Sequence, residues 1–316
     1  MVSRLHHAIG DGAALMKLLL TLVGGGAPAY SSAAPGPVMR PEDLVRHKGA
    51  ALRSLMRTLA QPADPLTSLK PLLGPEKRMA WSQPVPLASL QALAHGAGAT
   101  TNDVLLTALT GALRRLLHER GERTRDLTLH AIVPVNLRPP ERPGEPSTGN
   151  RFGLVYAPLP LGIDDGRKRL AEIARRTAEI KRSPEAAIAL LTLAALGTLA
   201  PALNQTLTGF FGKKGTLVVT NVAGPRAAVT LAGQPLAGMV FFAPQSARVG
   251  MGVSILSYAG QISVGIGSDA HACDEPQRIV DAFAEELAAL LGKRSAFSFQ
   301  LSARRSESGS GLTADR

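Results

Sequence analysis

A chain of 316 residues with 45% hydrophobic and 19% charged side chains can bury a large core in one or two domains, which excludes a disordered or fibrous protein. The net charge of +11 favours polyanions or anionic surfaces, yet aromatics are only 4% and no zinc-finger spacing or basic run with interleaved aromatics occurs, so no nucleic-acid partner is expected. The single cysteine, Cys273, excludes an internal disulfide and any multi-cysteine metal site and fits a reducing cytoplasm.

In chain order, residues 1–5 read as the tail of a strand. His6-His7-Ala8-Ile9-Gly10-Asp11-Gly12, an HHxxxDG heptapeptide, follows directly. Asp11 stands where an N-cap belongs before the apolar run 12–23, and Gly24 is its stop. The two histidines then occupy a strand-to-helix turn, which suits a base of near-neutral pKa aimed at a substrate. Taken alone, the residues equally allow surface histidines beside a helix-capping aspartate. Residues 24–37, rich in Gly, Pro, Ser and Ala, read as a linker. Residues 42–59 read as a helix with a basic surface of Arg46, Lys48, Arg53 and Arg57.

A short strand is expected over 79–82 and helices over 87–93 and 102–117. The second carries Val104, Leu105, Ala108, Leu109, Ala112 and Leu116 at the spacing of one face, is capped by Thr101 or Asn102, and ends at Gly121. Residues 127–133 read as a central strand, 139–148 as a loop and 163–182 as a polar helix. Residues 186–203 carry no charge, close to the lower limit for a membrane span. They are rich in alanine and contain Pro201, so they read as one buried or interfacial helix. Beyond Thr216 the character is β, with strands over 217–221, 238–242, 251–256 and 261–266 and a hairpin at Ser257-Tyr258-Ala259-Gly260. A last helix over 275–291 stops at Gly292, and the chain beyond Arg304 has a disordered composition. The order is mixed α/β, α+β-like, without regular βαβ alternation. No signal-peptide pattern is read at the front.

Several stretches, taken together and in this order, carry a resemblance. They are residues 6–12, Ala99-Thr100-Thr101-Asn102-Asp103-Val104, Pro134-Val135-Asn136-Leu137-Arg138, Gly149-Asn150 with Leu159-Pro160, Asn221-Val222-Ala223-Gly224-Pro225, Ser257 to Gly260, and the acidic Asp269/Asp274 segment. The chain resembles the bacterial wax ester synthase/diacylglycerol acyltransferase family, within the CoA-dependent acyltransferases of chloramphenicol-acetyltransferase-like fold. The resemblance implies a two-lobed enzyme with its active site in a tunnel between the lobes. His7 would be the general base, with His6 beside it. It would take the hydroxyl proton of a long-chain alcohol or diacylglycerol, whose oxygen attacks an acyl-CoA thioester. No metal, covalent intermediate or cofactor is implied beyond acyl-CoA as co-substrate.

Asp11 is expected as a structural partner, capping the helix or pairing an arginine such as Arg138, and Gly12 as a point of close approach. Substrate-binding residues are expected at Asn102, Asp103, Asn221, Gly224, Pro225 and Ser257, with Asn221 or Ser257 as an oxyanion donor, or Asn221 as a turn-stabilising asparagine before Gly-Pro. Lys213, Lys214 and Arg226 would either meet the CoA phosphates or form a solvated basic turn. Family members have a longer segment before the histidines, so most of the N-terminal lobe is expected to be missing, or Met1 to be internal. The expected division is 1–85 for the remnant of that lobe, 86–295 for the C-terminal lobe, and 296–316 for a tail. Ala223 departs from the family's usual proline. The expected location is cytoplasmic, in peripheral contact with an anionic membrane or a lipid inclusion. Two rival readings are a catalytically incomplete fragment or binding remnant, and a condensation domain, which shares HHxxxDG. The Asn102-Asp103 and 221–225 stretches favour the acyltransferase over the second rival. A serine hydrolase is disfavoured because no G-x-S-x-G elbow occurs.

Overall fold

The computed structural model describes residues 2–3, 10–23, 46, 48–138, 151–231, 233–245 and 249–292. Their helices are α1 (Gly12–Val23), α2 (Lys48–Ala60), α3 (Leu87–Gly96), α4 (Thr101–Glu119), α5 (Gly166–Arg182), α6 (Glu185–Leu196), α7 (Pro201–Gly212) and α8 (Pro276–Leu290). The strands are β1 (Lys77–Trp81), β2 (Val85–Pro86), β3 (Thr128–Asn136), β4 (Phe152–Pro160), β5 (Leu217–Ala223), β6 (Thr230–Leu231), β7 (Gln234–Pro235), β8 (Met251–Tyr258) and β9 (Gln261–Asp269). This is a mixed α/β fold.

One sheet runs in the order β1-β9-β8-β5-β3-β4, with β2 also paired to β9, while β6 and β7 form a separate small ribbon. The central pairs β3–β5 and β5–β8 are parallel, and the flanking pairs β3–β4, β8–β9 and β1–β9 are antiparallel. The segment expected to belong to the front part thus supplies β1 and β2 to the same sheet as the rest. On β8 and β9 the turn residues Ala259 (φ 47°) and Gly260 (φ 76°) are both left-handed, the conformation that matches the twist of a two-residue hairpin.

The core lies between one sheet face and α4, α5 and α8. Leu105, Leu106, Leu109, Leu113 and Leu117 of α4 are all fully buried, each contributing about 1.5–3 kcal/mol of transfer free energy. The expected single apolar face of α4 is therefore an underestimate. The helix is buried nearly all round because α3, α5, α8 and the sheet surround it. Its cap is Thr100 rather than Thr101 or Asn102. Thr100 is extended (φ −101°, ψ 159°) and its hydroxyl accepts from Asp103 N at 3.3 Å in a capping box.

Three further expectations change. The uncharged stretch forms two helices, not one, because Pro201 disfavours the helical region at Ala200 (ψ 143°) and opens α7. Asn204 Nδ2 then donates to Leu196 O at 3.0 Å across the break. Residues 238–242 form no strand and instead cross over β8 and β9. A Cβ at Gly252 would stand 2.8 Å from Ala243 O, and one at Gly265 would stand 2.7 Å from Phe241 O, so these two glycines make room for the crossing. The strand β4 has no counterpart in the reading of the sequence. Its prolines, Pro158 and Pro160, obscure the pattern and are tolerated because β4 is an edge.

Candidate active site

Because β3, β5 and β8 run parallel, their C-terminal ends emerge along one edge of the sheet. Three of the singled-out stretches lie there: Asn136 to Arg138, Asn221 to Pro225, and Ser257. In open sheets of this kind the crevice outside the carboxyl ends of strands is the usual place for a ligand. Ser257 pairs with Ala223 across the two strands, and Gly224 N donates to Ser257 O at 2.7 Å. A Cβ at Gly224 would stand 2.5 Å from that carbonyl, so glycine is needed for the approach. Pro225 O accepts from Ala259 N at 2.9 Å, and Asn221 is exposed.

The start of α1 docks on this edge. Asp11 Oδ1 accepts from Ala14 N at 3.1 Å, which caps the helix, and Asp11 Oδ2 receives Arg138 Nη2 at 2.8 Å. Both roles weighed for Asp11 are present in one carboxylate. The pair is largely buried, and Arg138 N donates to Asn136 Oδ1 at 2.9 Å, fixing the turn after β3. A Cβ at Gly12 would stand 2.8 Å from Val222 Cγ2. Further along α1, Met16 and Leu20 pack with Val222 and Leu256. His6, His7, Gly149 and Asn150 lie outside the described residues.

Asp103, expected among the substrate-binding residues, gives both carboxylate oxygens to the fold. Oδ2 accepts from Thr100 N at 2.8 Å and Thr100 Oγ1 at 2.7 Å, and Oδ1 accepts from Thr177 Oγ1 at 2.6 Å. It is buried and ties α4 to α5, with Asn102 half-buried beside it, and none of these bonds reaches α1 or the strand ends. Lys214 is neither a solvated basic turn nor open to a phosphate. Its Nζ donates to Thr58 O, Leu59 O and Gln61 O at 2.7–2.9 Å, which closes the C-terminal end of α2. Burial lowers its pKa.

A second polar cluster had no signal in the sequence. Buried Asp64 accepts from His130 N (2.8 Å) and Thr216 Oγ1 (2.7 Å) through Oδ2, and its Oδ1 lies 2.6 Å from His130 Nδ1. Nearby, Glu185 Oε1 accepts from Tyr156 N at 3.2 Å. Burial raises the Glu185 pKa, opposed by that bond and by the charges of Arg57 and His130. Burial also raises the Tyr156 phenol, reinforced by Glu185 and Asp64. These residues meet only through tertiary folding, and no spacing announces them.

Residues 148–291 match the family model of the WS/DGAT C-terminal domain. That segment, a little under half of the chain, is similar to the C-terminal domain of the wax ester synthase/diacylglycerol acyltransferases. The chain is 26% identical over 295 residues to a Mycobacterium tuberculosis protein named as a diacylglycerol O-acyltransferase, covering 85% of this chain and 63% of the relative. A second protein of that organism, carrying the same activity in its name, is 32% identical over 206 residues, which cover 62% of this chain and 41% of its own. Among solved structures, the wax ester synthase/diacylglycerol acyltransferase of Marinobacter aquaeolei VT8 aligns with a TM-score of 0.59 at 23% identity, over 90% of this chain and 65% of that one. That likeness shows the fold, the chloramphenicol-acetyltransferase-like one. The chain thus spans a little under two thirds of the length of the first relatives it matches.

Proposed function

We propose that this protein is an acyl-CoA-dependent O-acyltransferase that transfers a fatty acyl group to a long-chain alcohol or a diacylglycerol, with His7 as general base. One observation carries the reading. The Asp11–Arg138 pair and the Gly12–Val222 contact hold the last two residues of the HHxxxDG motif at the same sheet edge as Arg138, Gly224 and Ser257. His7 precedes Asp11 by four residues, so chain geometry keeps their Cα atoms within about 14 Å.

In this mechanism the imidazole of His7 takes the acceptor's hydroxyl proton, and the oxygen attacks the thioester carbonyl. The C–S bond breaks, an ester forms, and the CoA sulfur leaves with the proton returned by the imidazolium. A thioester is already activated, so positioning and one base of near-neutral pKa supply most of the required acceleration. Asp11 holds the turn in place, and exposed Asn221 or the Ser257 side chain is the candidate donor to the tetrahedral oxyanion. Acyl-CoA enters as co-substrate and no further cofactor is invoked. The C-terminal lobe, on this reading, takes in 86–295 together with β1 and β2.

Such acceptors reside in lipid, which puts the protein at the cytoplasmic side of an anionic membrane or at a lipid inclusion. Among the described residues no helix is long and apolar enough to cross a membrane. The test is ester formation from labelled palmitoyl-CoA with hexadecanol or dioleoylglycerol by wild type and His7→Ala. Loss of at least a hundredfold in the variant is expected. A variant that still forms ester near the wild-type rate overturns His7 as base, and a wild type that forms none overturns the activity.

A further inference from the structure

Between Glu185 and Lys213 the chain carries no charged residue, and between Glu185 and Asp269 it carries no aspartate or glutamate. The structure folds the uncharged part into α6 and α7 and leaves much of it facing outward. Along α6 the outward positions are Leu191, Ala194, Ala195 and, just beyond the helix, Thr198, spaced as one helical stripe. On α7 they include Leu203, Thr206 and Phe210, with Leu203 48% and Phe210 45% exposed. Beside α6 lies α2, whose Leu52 (62%) and Met56 (57%) are also exposed. Apolar side chains exposed together in this way mark an interaction face.

The charges around it name the occupant. The charged residues of α2 are Lys48, Arg53 and Arg57, all exposed and all cationic. Lys181 and Arg182 end α5 just before the hairpin, and exposed Lys213 follows it. Among the described residues the acids nearby are already engaged: Glu185 is half-buried with its carboxyl biased toward the neutral form by burial, Asp64 is buried against His130 and Thr216, and Glu179 pairs with Arg175. Several cations elsewhere have carboxylate partners, as in Arg175 with Glu172 and Glu179, Arg278 with Glu119, and Arg115 with Glu285. An apolar stripe without acidic side chains of its own, flanked by the cations of α2 and by Lys213, suits an anionic lipid leaflet better than a protein surface of mixed charge. With 12 residues each, α6 and α7 are about 18 Å long, too short to span and long enough to lie in the interfacial plane.

We propose that the α6–α7 hairpin, flanked by α2, is the surface on which this protein docks to an anionic lipid leaflet, with Leu191, Leu203 and Phe210 entering the acyl boundary and Arg53 and Lys213 meeting the headgroups. The purpose of this surface rests on the lipid-substrate reading above, but its existence is measured without either substrate. Failure of acyl transfer therefore leaves it standing, and its failure leaves the acyltransferase standing.

The native Trp81 lies on β1, the sheet edge opposite β4, beside which α6 packs. It is the internal control. In the Trp81→Phe/Leu203→Trp protein, vesicles of phosphatidylcholine and phosphatidylglycerol should shift the new indole to the blue, and acyl-brominated lipid should quench it. Trp81 in the wild type should stay unquenched. The Leu191→Glu/Leu203→Glu and Arg53→Glu/Lys213→Glu proteins should each lose at least tenfold in vesicle partitioning, with an unchanged thermal melt. Three results would overturn the proposal. They are a new indole that stays in water on bound protein, Glu variants that bind as wild type does, and light scattering that shows a dimer dissolved by Leu203→Glu with vesicle binding unaffected.

Discussion

Arg138 Nη2 meets Asp11 Oδ2 at 2.8 Å across 127 residues of chain, and the same carboxylate caps α1 through Ala14 N. The two side chains are 8% and 14% exposed, so removing either charge strands the other in a mostly dry place. Asp11→Asn keeps a cap acceptor and loses the charge, and Arg138→Leu loses the partner. Each should cost about 3 kcal/mol in urea unfolding, and the double variant well below the sum. A purely additive double variant would show that the pair is not energetically coupled. On the proposed mechanism both single variants should also lower acyl transfer, because Asp11, four residues after His7, loses its anchor.

Gly12 faces Val222 so closely that an added methyl stands 2.8 Å from Val222 Cγ2. Gly12→Ala should push α1 away from β5 and destabilise the protein by about 1–3 kcal/mol. Val222→Ala alone opens a small void and costs about 1–2 kcal/mol. The combination should be more stable than Gly12→Ala alone, as read from the two urea midpoints. The absence of that rescue would mean that α1 is held by other contacts.

Ala259 takes a left-handed φ of 47° in the β8–β9 turn, a conformation that disfavours a Cβ and suits asparagine. Ala259→Asn should stabilise the protein by about 0.5–1 kcal/mol, a rise of roughly 1–2 °C in Tm. A fall in Tm would show that the turn has a different geometry in solution.

Glu185 supplies a test by pH. Burial raises its carboxyl pKa above the unfolded value near ~4.3, so the folded chain holds this proton more tightly than the unfolded chain does. Its contribution is then fully present below the unfolded value and is lost as pH rises through the raised one. Glu185→Gln can still accept from Tyr156 N and does not titrate. The Tm of the variant should gain on that of wild type from about pH 4 to about pH 8, by an amount that grows monotonically. A constant offset across the range would mean that the carboxyl does not titrate differently on folding.

Lys214→Met removes the ammonium that closes the end of α2 and leaves the carbonyls of Thr58, Leu59 and Gln61 without it. Amide exchange over α2 should accelerate by about tenfold or more, while exchange in α4 stays slow. Equal acceleration in both helices would mean that α2 does not open by itself.

Legibility from sequence followed the range of the interaction. The helices α4, α5 and α8 and the β8–β9 hairpin were readable because caps, turn residues and apolar spacing are local signals. Asp11 was readable too, since an aspartate before an apolar run announces a cap, and its pairing with Arg138 was an available guess. Pro201 stands in plain view in the sequence, but the division of one apolar run into α6 and α7 shows only in the extended backbone of Ala200 before it. Residues 238–242 have strand composition yet lie across β8 and β9, because the room for them is made by Gly252 and Gly265 elsewhere in the chain. Asp103 and Lys214 carry the chemistry of binding residues, and only the partners supplied by Thr177 and by the end of α2 reveal them as internal fastenings. The Asp64–His130–Thr216 cluster brings together parts of the chain with no local pattern at all.

The pairing of β1 with β9 sets a schedule for folding during synthesis. Lys77 lies opposite Asp269 in the finished sheet, so β1 leaves the ribosome roughly ten to forty seconds before its partner does, at ordinary bacterial elongation rates. Throughout that interval Met79 and Trp81 belong to an unpaired strand, while β3 and β4 can already close on each other as neighbours. The centre of the sheet, where β5 must slot between β3 and β8, also waits for the last third of the chain. The nascent protein is therefore most exposed to aggregation late in translation, and a chaperone that shields residues 77–81 during that interval should raise the yield of folded chain more than one acting after release.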